Sequence, residues 1–168
     1  MTTNQASPDL GARVNELPGG WEQANGLRFL SASGDRVTAE LVVGPHHRQA
    51  YGLVHGGVYA GIVESLASIG ATLGVMPDGK RAVGLENHTS FIRACRGGTL
   101  HADAVPVTRG SRTQVWEVTI RDDGQRVLAT GRVRVLILDA ASTVAGGDLS
   151  IKQPQVDFTP DPGARERS

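Results

Sequence analysis

The chain is poor in aromatics, with Phe, Trp and Tyr making up 4% of its 168 residues. Its core must therefore be packed mainly by Val, Leu, Ile and Ala. A single cysteine, Cys95, excludes an intrachain disulfide and makes the cytoplasm the natural compartment. There is no excess charge of either sign, because 17 Lys and Arg balance 17 Asp and Glu. That balance gives no bulk attraction to nucleic acid or to an anionic membrane, although a local arginine cluster can still hold a small anion. The opening stretch MTTNQASPDLGARVNELPGG lacks a basic start followed by an apolar core, so a signal peptide is not expected. His46, His47, His88 and His101 show no metal-ligand spacing, and neither a metal nor another cofactor is expected.

What the chain does have is one long apolar run, Tyr51 to Met76, free of proline and opened by Gly56 and Gly57. Ile62, Leu66, Ile69 and Leu73 recur at steps of three and four, the period of a buried helix stripe. Between His55 and Met76 the sole formal charge is Glu64. At about 100° per residue, Glu64 lies nearly opposite the stripe, among Gly57, Ala60, Gly61, Ala67, Ser68 and Ala71. A solvent face would carry Lys, Arg and several Glu, so this face too is expected to be covered by a backbone, a subunit or a ligand. A carboxylate and several glycines argue against a membrane-spanning role.

Residues 1–20 are polar, with Pro and Gly, and read as a loose arm. Gly26–Ser33 and Arg36–Val43 are strand candidates joined by the turn Ser33-Gly34-Asp35. After the helix, which Pro77-Asp78-Gly79 ends, come strand-like runs at Ala82–Arg93, Thr99–Thr108, Thr113–Arg121 and Arg126–Leu138. Turns this short join antiparallel neighbours, because a parallel crossover needs a dozen or more residues. The expected fold is therefore α+β, one domain over 21–139 with the helix on one face of an antiparallel sheet, and a flexible tail over 140–168.

Gln49, the run Gly52-Leu53-Val54-His55-Gly56-Gly57 and the run Glu64-Ser65-Leu66-Ala67-Ser68 resemble the hotdog-fold acyl-CoA thioesterases. The likeness is strongest to the branch holding the phenylacetate-pathway, 4-hydroxybenzoyl-CoA and dihydroxynaphthoyl-CoA thioesterases. VGLENHTSFIRACRGG and TRGSRTQVWEVTIRDDGQRVLATGRV extend it across about Gly26 to Leu138. The resemblance implies a sheet wrapped around the helix and an acyl-CoA substrate, aryl or short to medium in chain, hydrolysed to acid and CoA; the alternatives are a hotdog module that binds acyl-CoA without turnover and a hotdog hydratase or dehydratase. It also implies a homo-oligomer, a tetramer of paired dimers, with sites at the dimer interface. It makes Gln49 an amide donor near the thioester carbonyl, and lets Gly84, Phe91, Ile92, Arg93, Ala94 and Thr108 to Thr113 line the substrate channel.

Glu64 is the candidate catalyst, as a base toward water or as a nucleophile forming an anhydride. Ser68, one turn on, either hydrogen-bonds that carboxylate or its water, or simply packs. Gly56 and Gly57 offer N–H groups at the positive end of the helix, an oxyanion site or else a plain turn. His55 either orients this loop and donates a hydrogen bond, or is structural. Arg93, Arg109 and Arg112 suit phosphate at the nucleotide end of CoA, the alternative being solvated strand ends. Gly110, Ser111 and Thr113 can add hydrogen bonds there. The spacing carries one constraint. Gly56 and Glu64 are separated by about 12 Å along a helix, yet a base and an oxyanion donor must each lie about 3 Å from the reacting group. Either one of the two acts, or they meet across two subunits.

Overall fold

The computed structural model describes residues 9–17 and 20–149. Its frame is one helix held against one sheet. The helix, α3, spans Gly56–Val75, after two short ones, α1 over Gly11–Asn15 and α2 over Gly20–Asn25. The sheet is built from β1 (Arg28–Ala32), β2 (Val37–Val42), β3 (Lys80–Phe91), β4 (Thr99–Arg109), β5 (Thr113–Arg121) and β6 (Val127–Asp139). These six pair antiparallel throughout in the order β1-β2-β4-β5-β6-β3. The long helix and the six antiparallel strands agree with the α+β, hotdog-type expectation, with ends shifted by a few residues. But β3 and β4, expected to be neighbours across a short turn, are apart: β3 pairs with β6 at the sheet edge and β4 with β2 and β5.

His55 starts α3: its Nδ1 accepts a hydrogen bond from the Gly57 N–H at 2.9 Å. Pro77 stops it, through the 3₁₀ turn Met76–Asp78 and Gly79 at φ 69°, a left-handed position suited to glycine. Ile62, Val63, Leu66, Ala67, Ala71 and Leu73 are buried against the sheet, while Ile69 of the expected stripe is partly buried. The segment Gly56–Asp78 is long and apolar enough to cross a bilayer, but 61% of its 18-residue apolar stretch is buried inside the fold, as in a core helix.

Two glycines set how closely the helix sits. A Cβ on Gly70 would overlap the indole of Trp116, the largest fully buried side chain. A Cβ on Gly34, in the β1–β2 turn, would lie 2.6 Å from the Gly74 Cα. Gly70 therefore admits a close approach to a ring, and Gly34 opposite Gly74 a close approach to backbone.

The two sheet edges differ. At β1, residues 9–17 of the segment expected to be a loose arm are instead docked. Asn15 donates to the Phe29 carbonyl (2.8 Å) and accepts from its N–H (2.9 Å), and the Leu10 N–H donates to Ala32 O at 2.7 Å. Asp9 Oδ1 accepts from the N–H groups of Ala32 and Gly11, both at 2.9 Å, and Leu10 and Val14 join the core. That edge is closed by the chain's own side chains. At β3 the outward edge makes no backbone pairing among the described residues, and Leu85 and Phe91, with Ile92 just beyond, are exposed. Thr143–Val144 and Gly147–Asp148 form a small hairpin at the start of the expected tail. Residues 1–8 of the arm and 150–168 of the tail lie outside the described residues.

Candidate active site

The candidate residues gather in two places. The first is a cleft of about 520 Å³ at the N-terminal end of α3. Gln49, His55, Gly56 and Gly57 line it on one side, and Phe91, Ile92, Arg93 and Ala94 on the other. The loop that carries Gln49 is tightly tied. The Gln49 N–H donates to Leu53 O (2.8 Å), Gly52 N–H to Gln49 O (2.9 Å), and Val54 N–H to Cys95 O (2.8 Å). Its root is His47, a residue the sequence reading set aside. His47 is buried, its Nδ1 accepting from Gly44 N–H at 2.8 Å and its Nε2 3.0 Å from Asn25 O. With Nδ1 an acceptor, Nε2 must carry the proton and donate. Burial, and then the neighbouring His46, hold its pKa below the usual imidazole value.

His55 caps α3, and its Nδ1 occupies the Gly57 N–H. The Gly56 N–H has no partner among the described residues, so of the two candidate oxyanion donors it is the one left open. Phe91 lies over it; a Cβ on Gly56 would be 2.7 Å from the Phe91 ring. Beneath, Tyr59 packs near Phe91 with ring centroids 6.0 Å apart. Burial pushes the Tyr59 phenol up to about 12, and its hydroxyl has no hydrogen-bond partner among the described residues.

The second place is halfway along α3. Glu64 Oε1 accepts from Ser68 Oγ at 3.1 Å, and Oε2 accepts from Asn87 Nδ2 at 3.2 Å. Asn87 is fixed in turn, donating to Ala60 O (3.0 Å) and accepting from Thr89 Oγ1 (2.6 Å). Both carboxylate oxygens are thus held by neutral donors, which position the group without neutralising it. Gly84 of β3 makes room, since a Cβ there would collide with Glu64 Oε1. Around Glu64 opens a pocket of about 360 Å³ lined by Trp21, Glu22, Gly61, Ser65, Ser68 and Ile69. Here the small-residue face of α3 finds its cover, in part. The indole of Trp21 rests against Gly61, where any Cβ would overlap it. Sequence reading missed Asn87, Trp21 and Glu22, each held to α3 by contacts that cross at least two elements.

The cleft at Gly56 and the pocket at Glu64 share no lining residue. The third expected group, Thr108, Arg109, Gly110, Ser111, Arg112 and Thr113, joins neither. It forms the β4–β5 hairpin, where Gly110 N–H donates to Thr113 O at 3.0 Å. Arg109 is engaged there by Gly34 O (2.6 Å) and Asp35 Oδ1 (2.7 Å). Because Gly34 abuts Gly74, this hairpin sits at the C-terminal end of α3, about 30 Å from Gly56 for a helix of this length. Arg93 and Arg112 form no ion pair among the described residues. No three His, Cys, Asp or Glu converge as metal ligands among the described residues.

Residues 51–129 match the family model of the thioesterase superfamily. A relative from Mycobacterium tuberculosis, provisionally named an esterase, is 41% identical over 139 residues, covering 81% of this chain and 98% of its own length. Its solved structure superposes with a TM-score of 0.70 over 71% of this chain and 96% of the other. The 1,4-dihydroxy-2-naphthoyl-CoA hydrolase of Escherichia coli is 32% identical, covering 67% of this chain and 82% of that one. A thioesterase of Pseudomonas aeruginosa gives a TM-score of 0.73 at 27% identity, over 80% and 96% of the two chains. With that fold, and with a buttressed carboxylate and an open helix N-terminus on one core helix, the chain belongs to the thioesterase superfamily and is a thioester hydrolase.

Proposed function

We propose that this enzyme hydrolyses acyl-CoA thioesters, with aryl or short to medium acyl groups, at a site shared between two subunits. The reading rests on one observation: the half-sites share no residue within a chain, yet both abut β3, whose outer edge is open. Gly84 and Asn87 of β3 meet Glu64, and Phe91 at its far end covers Gly56. If two copies pair antiparallel along this edge, the Phe91 end of one strand meets the Lys80 end of the other. Glu64 then faces the partner subunit's Gly56 and Gln49. The same pairing brings Arg93 toward Arg112 of the partner subunit, because the Ile137 N–H to Arg112 O bond (2.8 Å) fixes Arg112 near the start of β3. Two arginines from two chains would thus flank the phosphates of CoA. Subunits paired in this way, and paired again into a tetramer, in the cytoplasm, complete the reading.

In this arrangement Glu64, held by Ser68 and Asn87, takes a proton from water as the water attacks the thioester carbonyl, or attacks that carbon itself. The carbonyl oxygen gains negative charge and is received by the Gly56 N–H at the positive end of α3. Collapse expels CoA as thiolate. On the water route the proton held by Glu64 passes to it, and free thiol and acid result. On the direct route a mixed anhydride stays on Glu64 until water cleaves it to acid, one proton of that water going to the thiolate. Free-thiol detection over a panel of acyl-CoAs tests the proposal. Glu64→Gln, which keeps shape and one acceptor, should bind thioesters but lose at least about 10²-fold in kcat. Glu64→Asp should fall between it and wild type. Equal rates for all three would remove Glu64 from the chemistry.

A further inference from the structure

Resting on the thioesterase reading above, we propose that the Tyr59 hydroxyl is a second oxyanion donor. With the Gly56 N–H, it hydrogen-bonds the thioester carbonyl oxygen as negative charge develops there. Tyr59 stands one turn after Gly56 on α3, and both line the cleft at the start of that helix. An aromatic side chain in a helix leans back over the preceding turn, which here is the turn that begins with Gly56. The Phe91 ring lies beside both residues. It would be 2.7 Å from a Cβ on Gly56, and its centroid is 6.0 Å from that of Tyr59.

What sets Tyr59 apart is an unspent hydrogen-bonding group in a dry place. The residue is 3% exposed, and its hydroxyl is buried with no partner among the described residues. Native folds rarely leave such a group unpaired, because its desolvation then goes uncompensated. The nearby Cys95 does not meet it, since that thiol donates to Gly97 O at 3.2 Å. Burial, and then Cys95, push the phenol up to about 12, so the oxygen keeps its proton at working pH and serves as a donor. The Gly56 N–H is likewise without a partner among the described residues. Two unspent donors in one cleft suit a single oxygen with two lone pairs, which a thioester carbonyl supplies. Gln49 lines the same cleft but is exposed to water. A donor shielded from water, as Tyr59 is, stabilises developing charge more strongly. The phenol gives up no proton in the cycle. Substrate reaches it by displacing the Phe91 ring, whose residue is 60% exposed and so open to solvent on its outer side.

The test is Tyr59→Phe, which removes one oxygen and keeps a ring beside Phe91. With benzoyl-CoA and hexanoyl-CoA its kcat should fall about 10²-fold, the usual cost of one oxyanion donor, with KM little changed. The melting temperature should not drop, because no hydrogen bond of the fold is lost. A second readout needs no turnover. Isotope-labelled benzoyl-CoA bound to Glu64→Gln gives an infrared carbonyl band, which a hydrogen bond to the oxygen lowers in frequency. Adding Tyr59→Phe should move that band to higher frequency. An unchanged kcat, an unmoved carbonyl band, or a kcat loss matched by a lower melting temperature would overturn the role of Tyr59 while leaving the thioesterase reading intact. Absence of turnover on every thioester would overturn both.

Discussion

Glu64 owes its position to neighbours that have no charge of their own. Ser68 comes from the same helix, Asn87 from the strand alongside, and Gly84 contributes by having no side chain. Gly84→Ala should leave the sheet intact but push the carboxylate off both donors. Its kcat should fall about 10²-fold, the cost of roughly 1 Å of misplacement, with thioester affinity largely kept. At the other half-site the Gly56 N–H can be deleted cleanly. Gly56 is the first residue of α3, where proline is tolerated, and His55 already has the extended ψ of 137° that precedes a proline. Gly56→Pro should fold, with Phe91 swinging aside, and lose about 10²–10³ in kcat if that N–H receives the oxyanion. An unchanged kcat with normal melting would assign the oxyanion elsewhere. His47 carries the pH dependence. Its folded pKa is lowered, so the unfolded chain takes up a proton first. Stability should be full above the ordinary imidazole pKa of about 6.5 and should decline as pH falls from there to the lower folded value. Melting curves of wild type and His47→Gln over that window should differ in slope, with the variant flatter.

Among the elements, α3 and the strands were legible because each is long enough to show its period. α3 repeats an apolar stripe over five turns, and β5 alternates buried and half-buried along its length. The two short helices carry no such signal. Five or six residues show no repeat, and α1 is held by Asp9 and Asn15 bonding to β1, a pairing no local pattern announces. The same holds for Glu64. Its candidacy was readable from the absence of other charge on the helix, and Ser68 from the one-turn spacing. Asn87 was not, because it arrives from 23 residues away across a strand. The docked segment gives a prediction of its own. Deleting residues 1–16 removes Leu10 and Val14 from the core and uncovers the β1 edge. The shortened chain should melt several degrees lower and aggregate on heating. A melting curve identical to that of the full chain would mean that α1 contributes nothing to the fold.

At the scale of the whole molecule, the sheet has one edge closed by its own N-terminal segment and one left open, and the open strand is the one that abuts both proposed half-sites. A strand that exposes Leu85 and Phe91 beside an unpaired backbone is costly in a monomer and useful in a pair. Light scattering should accordingly show at least a dimer at assay concentrations. The decisive measurement mixes two defects. Glu64→Gln and Gly56→Pro, each nearly inactive alone, are co-expressed in equal amounts and assayed together. If each site takes Glu64 from one chain and Gly56 from the other, half the pairs are mixed and each mixed pair holds one intact site. The mixture should then regain about one quarter of wild-type activity. Activity no greater than that of the separate variants would show that each chain carries its own complete site, and would contradict the shared-site account.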